Sequence, residues 1–208
     1  MRRVISVLAI VTLALTGGSA SAWLVEEQVP LDFITGGGWF IIQAPYLSNG
    51  TVVGSPGPGT RANFGWHGGV KHGNWWGNGN YKDHGTGLHV HSREVTGYLK
   101  IGEDGGTVHQ PTGTRDICGI ADTNMGGPFY YRVRMKDAGE PGRRDKFGIS
   151  LYTSLDPSAM PVYFAWGSLG DPTPGGGNIQ LHRGNNSNTA PSTPPVCPRD
   201  AFTDFAFS

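Results

Sequence analysis

The most regular stretch of the chain is FYYRVRMK, residues 129–136, where Phe129, Tyr131, Val133 and Met135 alternate with Tyr130, Arg132, Arg134 and Lys136. Successive side chains of a strand point to opposite faces, so this alternation predicts a strand with one buried and one wet face. KFGISLYT, residues 146–153, repeats it with Phe147, Ile149 and Leu151 inward. The intervening DAGEPGRRD reads as their hairpin connection. Further short alternating or aromatic segments predict strands at 38–43, 62–66, 87–92, 95–101, 161–166 and 177–183. Beyond the N-terminal segment no run sustains a helical period. The expected fold class is all-β: a single antiparallel β-sandwich, jelly-roll-like, of about eight to ten strands, because one open sheet would leave an apolar face bare.

Between these segments, residues 46–60 and 72–83 are rich in glycine and read as long surface loops. Met1, Arg2 and Arg3 precede an apolar run from Val4 to Leu15 and the small residues Ala20, Ser21 and Ala22, which is the layout of a signal peptide cut before Trp23. The apolar run is short for a bilayer span, and no later segment could serve as one. The expected organisation is a signal peptide over 1–22, a β domain over 23–183 and a proline-rich tail over 184–208, in a secreted or cell-surface protein. The closing AFTDFAFS is too short to fold alone; it either packs back as an edge strand or stays loose. The two cysteines of such an exported chain, Cys118 and Cys197, are expected to pair and tie the tail to the domain. Glycosylation sequons begin at Asn49 and Asn185, both in expected loops.

Composition narrows the function classes. The chain has 16 basic and 16 acidic side chains, and losing Arg2 and Arg3 with the signal peptide leaves about −2. So balanced a chain shows no basic footprint for nucleic acid. Its 34 glycines follow no triplet repeat, which excludes collagen.

Three features could carry chemistry. In DHGTGLHVHS, residues 83–92, the strand period puts Leu88 and Val90 on one face and His89 with His91 on the other. Two imidazoles so spaced can share a metal ion, with Asp83 or His84 completing the shell. The same alternation arises in any half-exposed polar strand, and that structural reading is preferred. Asp137, Glu140 and Asp145 crowd the hairpin connection, where carboxylates suit calcium or another divalent cation, or else simply brace the turn. The spacing is not that of an EF-hand. Finally, Trp66, Trp75, Trp76 and Tyr81 lie in or beside glycine-rich segments, where flat aromatic faces can stack on sugars or anchor a protein. Trp39 and Trp166 are expected in the core. No nucleophile elbow, zinc-protease helix or phosphate loop occurs.

Several of these segments together, ITGGGWF at 34–40, ANFGW, DHGTGLHVHS, YRVRMKDAGEPGRRDKFGISLY at 131–152 and GGGNIQLHR at 175–183, resemble the post-choice-of-anchor (post-COAP) type of secreted bacterial β domain. The resemblance implies an extracellular β-rich module without an assigned enzymatic activity. It also implies a polar network at Asp83, His84, His91, Asp137, Glu140, Asp145, Asn178 and His182. His89 departs from the family pattern, so a metal held by it would be peculiar to this chain. The leading expectation is a non-enzymatic module that contacts an extracellular polysaccharide or envelope protein through Trp75, Trp76 and Tyr81. The alternatives are a secreted metal-dependent hydrolase using Asp83, His84, His89 and His91, and a calcium-stiffened structural or matrix protein.

Overall fold

A computed structural model describes residues 29–43, 59–184 and 189–203. The expected signal peptide and both sequon asparagines lie outside these residues. Among those described there are nine strands and no helix: β1 (Phe33–Ile41), β2 (Arg61–Lys71), β3 (Asn74–Asp83), β4 (His89–Gly106), β5 (Pro111–Thr123), β6 (Gly126–Asp137), β7 (Lys146–Tyr152), β8 (Tyr163–Ser168) and β9 (Gly175–His182). They form one antiparallel sheet in the order β8-β7-β6-β5-β4-β3-β2-β1-β9. From β1 to β8 the chain meanders between neighbours, and β9 then returns to the far side of β1. The sheet curls until its ends approach. Just past β1, the Gln43 N–H donates to the Trp166 carbonyl of β8 at 3.0 Å. The result is a nearly closed, barrel-like sheet.

Its inner face is filled as the alternation predicts: Phe129, Tyr131, Val133 and Met135 of β6 and Phe147, Ile149 and Leu151 of β7 are all in the core. Phe147 stacks on Phe64 at 4.0 Å between ring centroids. Each large apolar side chain buried in this way contributes about 1.5–3 kcal/mol.

Two strands fall where the pattern gave no sign of them. β3 occupies the expected loop at 72–83, and its glycines are there for packing. A Cβ on Gly79 would sit 2.0 Å from the Trp66 ring, so the indole lies over bare backbone. β5 has no apolar alternation because both of its faces are covered; Arg115 and Asp116 are each buried. The two strands expected at 87–92 and 95–101 are one, β4, whose pairing with β5 shifts register at Ser92/Glu94, Val95/Gly97 and Ile101/Gly105. Such bulges bend a strand and increase its twist, which helps the sheet to curl.

The outer face of β5–β8 is not wet. Cys118 and Cys197 form a disulfide, and the chain around Cys197 crosses this face as a strap. Val196 N–H donates to the Thr96 carbonyl at 2.9 Å, Arg132 donates to the Pro198 carbonyl at 3.1 Å and Tyr152 Oη donates to the Arg199 carbonyl at 2.7 Å. Ala201 and Phe202 make a second small core with Tyr152 and Phe164; the described residues of the closing segment, 201–203, pair with no strand, and the rest of it lies outside the described residues. Beneath the strap, Asp116 accepts from Arg132 Nε at 2.5 Å and Arg134 Nε at 2.7 Å. Asp200 of the strap accepts from Arg134 Nη2 at 2.7 Å. Arg132 and Arg134, expected in water, are thus buried. Burial pushes the Asp116 carboxyl up, but the charges of Arg132 and Arg134 outweigh it and hold the group below the usual carboxylate range. Two guanidinium groups balance two carboxylates only while the strap is in place.

Removing one partner of such a cluster leaves a buried charge uncompensated. Asp200→Asn is expected to lower stability by about 3 kcal/mol. Replacing both cysteines by alanine opens a loop with a sequence separation of 79 and is expected to cost about 4 kcal/mol by chain entropy. Urea denaturation measures both; a loss under about 0.5 kcal/mol, the level of an ordinary surface substitution, would contradict this account of the strap.

Candidate functional site

β9 has a strand partner, β1, on one side. On its other side the backbone N–H groups of Ile179 and Leu181 donate to Asp145 Oδ2 and Asp137 Oδ2, each at 2.8 Å. The second oxygen of each carboxylate accepts from its own hairpin: Asp145 Oδ1 from Ala138 N–H at 2.9 Å and Asp137 Oδ1 from Gly139 N–H at 2.8 Å. Glu140 Oε1 then takes the amides of Asn178 at 3.1 Å and Gln180 at 3.0 Å. The β6–β7 hairpin therefore closes the seam of the sheet with side chains. Burial pushes the Asp145 carboxyl up to about 6 despite its two backbone donors. Asp137 is raised for the same reason. The exposed Glu140 is held below its ordinary range by the Asn178 and Gln180 amides.

Of the expected polar network, Asp137, Glu140, Asp145 and Asn178 are thus brought together, and His182 stands at the end of the row. Its Nε2 is 2.9 Å from Thr35 Oγ1 and its ring stacks on Phe33. Burial lowers its basicity, against the pull of Asp137. The remaining members lie elsewhere. Asp83 points into the core, where it accepts from Gly85 N–H at 2.7 Å, Thr86 Oγ1 at 2.9 Å and Tyr163 Oη at 3.0 Å; Tyr163 Oη in turn meets Tyr81 Oη at 2.6 Å. His84, His89 and His91 are exposed. His84 Nε2 pairs with Asn63 Oδ1 and His91 Nδ1 with Asn80 Oδ1, both at 2.8 Å. One buried carboxylate facing inward and three imidazoles facing outward do not converge on an ion. Among the described residues no three His, Cys, Asp or Glu side chains are grouped as a metal site requires.

The aromatics also sort differently from expectation. Trp66 and Tyr81 are core residues, 2% and 1% exposed, and present no contact surface. Trp75 leans against the core. Trp76, its neighbour on β3, takes the outer face, where Phe33, His67 and Lys71 surround its ring. Trp39 and Trp166, expected inside, are on the outer face too. The Arg61 guanidinium lies over the Trp39 ring at 4.5 Å. The signal for Trp39 was present in ITGGGWF: Ile34 and Phe40 are six apart and inward, so position 39 must point out.

Trp39 and Trp76 lie on the part of the outer surface away from the strap, whereas Trp166 packs beside the Tyr152, Phe164 and Phe202 cluster. Away from the strap the register aligns residues in rows across the strands. Trp39, Asn63, Lys82 and His89 form one row, and Asn178, Gly37, Gly65, Asn80 and His91 the next. Gln180, Thr35, His67 and Asn78 form a third, and His182, Phe33, Gly69 and Trp76 a fourth. Gly37 and Gly65 sit side by side and exposed. Nothing stands within 4 Å of where a Cβ on Gly65 would be. The rows with Trp39 and with Phe33 and Trp76 lie about 20 Å apart at about 3.3 Å per residue. A cleft of about 440 Å³, lined by Trp39, Arg143 and Gly175–Gly177 among others, adjoins one end. A second, of about 270 Å³, lies by His109, Asp137, Gln180 and His182 at the other.

The chain matches no family model, no curated protein and no solved structure.

Because Asp145 has a raised value in the fold, its contribution to stability is full below the unfolded value of about 4 and is lost as pH rises to about 6. The stability gap between the wild type and Asp145→Ala is therefore expected to narrow over that window. Chemical denaturation at a series of pH values measures it; a gap that widens instead would reverse the assignment.

Proposed function

We propose that the protein is a non-enzymatic binding module whose bare outer face, over β9-β1-β2-β3 and the first residues of β4, contacts an extracellular polysaccharide. The observation that carries this reading is the exposed Gly37–Gly65 floor between an aromatic row at Trp39 and another at Phe33 and Trp76. A pyranose ring offers an apolar face to an indole and hydroxyls to amides. Asn78 and Gln180 supply exposed amides between the two rows. A glycine floor lets a flat chain approach the backbone closely. The span accommodates several rings in succession, which favours a polymer over a free sugar.

The extracellular setting is part of the proposal. The Cys118–Cys197 disulfide suits an oxidising compartment, and among the described residues no helix is long and apolar enough to cross a membrane. The resemblance to the post-choice-of-anchor type of domain points the same way.

Affinity electrophoresis through gels containing envelope or matrix polysaccharides tests the reading. Trp39→Ala is expected to weaken binding about tenfold, the effect of losing about 1.4 kcal/mol of ring stacking, while leaving the melting temperature within a few degrees. Gly65→Trp, which raises a bulky ring from the floor, is expected to abolish binding. Unchanged retardation of both variants would refute the assignment of this face.

A further inference from the structure

We infer that the polysaccharide is acidic, a polymer whose sugar rings carry carboxylates, and that it is held around Trp39 by Arg61, Lys82 and Arg143. The inference rests on reading this face as a glycan-binding surface and adds the chemical class of its ligand.

The three cations border Trp39 on different sides. Arg61 places its guanidinium 4.5 Å over the indole ring. Lys82 lies in the same cross-strand row, two strands away through Asn63, and is exposed. Arg143 comes from the β6–β7 hairpin and lines the cleft that Trp39 shares with Gly175–Gly177. None of the three makes an ion pair with a carboxylate among the described residues. The acids of the adjoining seam are committed: Glu140 to the amides of Asn178 and Gln180, and Asp145 to backbone N–H groups. Arg144, next to Arg143, faces Asp171 at 3.6 Å.

This contrasts with the buried arginines of the same chain. Arg115 is bound by Asp32 and Asp104, and Arg132 and Arg134 by Asp116 and Asp200. Arg61, Lys82 and Arg143 are thus cations without a carboxylate partner among the described residues around one aromatic, and Lys71 stands likewise over Trp76. A guanidinium held over an indole retains its planar fork of N–H donors, which can take a carboxylate in two parallel bonds. A sugar ring stacked beside it brings its carboxylate to that fork. Neutral sugars would leave the three charges unanswered.

The experiment compares polygalacturonate and alginate with their neutral ester derivatives, using the full chain in calcium-free buffer. Retention is measured by affinity electrophoresis for the wild type, Trp39→Ala and the double variant Arg61→Gln, Lys82→Gln. Melting curves confirm that the variants fold. The wild type is expected to bind at least one of the acidic polymers, more weakly by about tenfold in the double variant, the effect of losing a charge-assisted bond. Raising salt from about 0.05 M to about 0.5 M is expected to weaken it as well. The neutral esters are expected to bind poorly. Equal, Trp39-dependent binding of acid and ester would overturn the charge inference and leave the binding module standing. Equal binding of polyglutamate, a polyanion without sugar rings, would overturn it too. Binding to none of the polymers by the wild type would overturn both the inference and the reading on which it rests.

Discussion

The second edge of β9 is the constraint around which the molecule is organised. A strand edge with free N–H groups invites pairing with another chain, and a curled sheet must either complete its ladder or cover the gap. Here two aspartates stand in for the missing strand. Asp145 and Asp137 each hold one β9 amide and one amide of their own hairpin, so the β6–β7 turn and β9 are fixed by the same four bonds. The cost is a pair of carboxylates held in poorly solvated positions, and the raised Asp145 value is its mark. With β9 fixed beside β1, Asn178, Gln180 and His182 extend the outer face by one strand, and the cleft beside Trp39 acquires its glycine wall.

The strap divides the outside of the sheet into unlike halves. Over β5–β8 it brings Asp200 to two buried arginines and Phe202 to a small apolar cluster. That half is structural, and its charges are internally balanced. Over β9-β1-β2-β3 and the first residues of β4 nothing comparable lies among the described residues, and the surface there keeps Trp39 and Trp76 half-exposed beside cations and amides. The proposed polysaccharide site follows from that division: one part of the outer face is closed by the chain itself, and the other is the face proposed to take a partner.

Some of the site was legible from sequence and some was not. In DHGTGLHVHS the period of two gives Leu88 and Val90 inward and His89 and His91 outward, and the structure has them so, with the strand beginning at His89. Its acid, Asp83, belongs to the interior hydrogen bonds of Tyr81 and Tyr163. The grouping of Asp137, Glu140, Asp145 and Asn178 is a contact between residues some forty positions apart, and only the suggested resemblance brought Asn178 into the same set. The tryptophans were the least legible residues. Trp66 and Tyr81 look exposed beside glycines, but Gly79 is there to receive the Trp66 ring.

What the sequence determined alone was local: the all-β class, the direction of side chains in β6 and β7, and the pairing partners open to two cysteines. These follow from the period of two and from simple counting, and no distant contact can change them. What only the tertiary structure decided was which faces are covered. β5 carries no alternation because core and strap bury both sides of it, and Arg132 and Arg134 alternate as solvent-facing residues yet lie beneath Asp200. A strand's period reveals that two faces differ; it does not say what lies against either, because that depends on segments brought together by the closed seam and the disulfide.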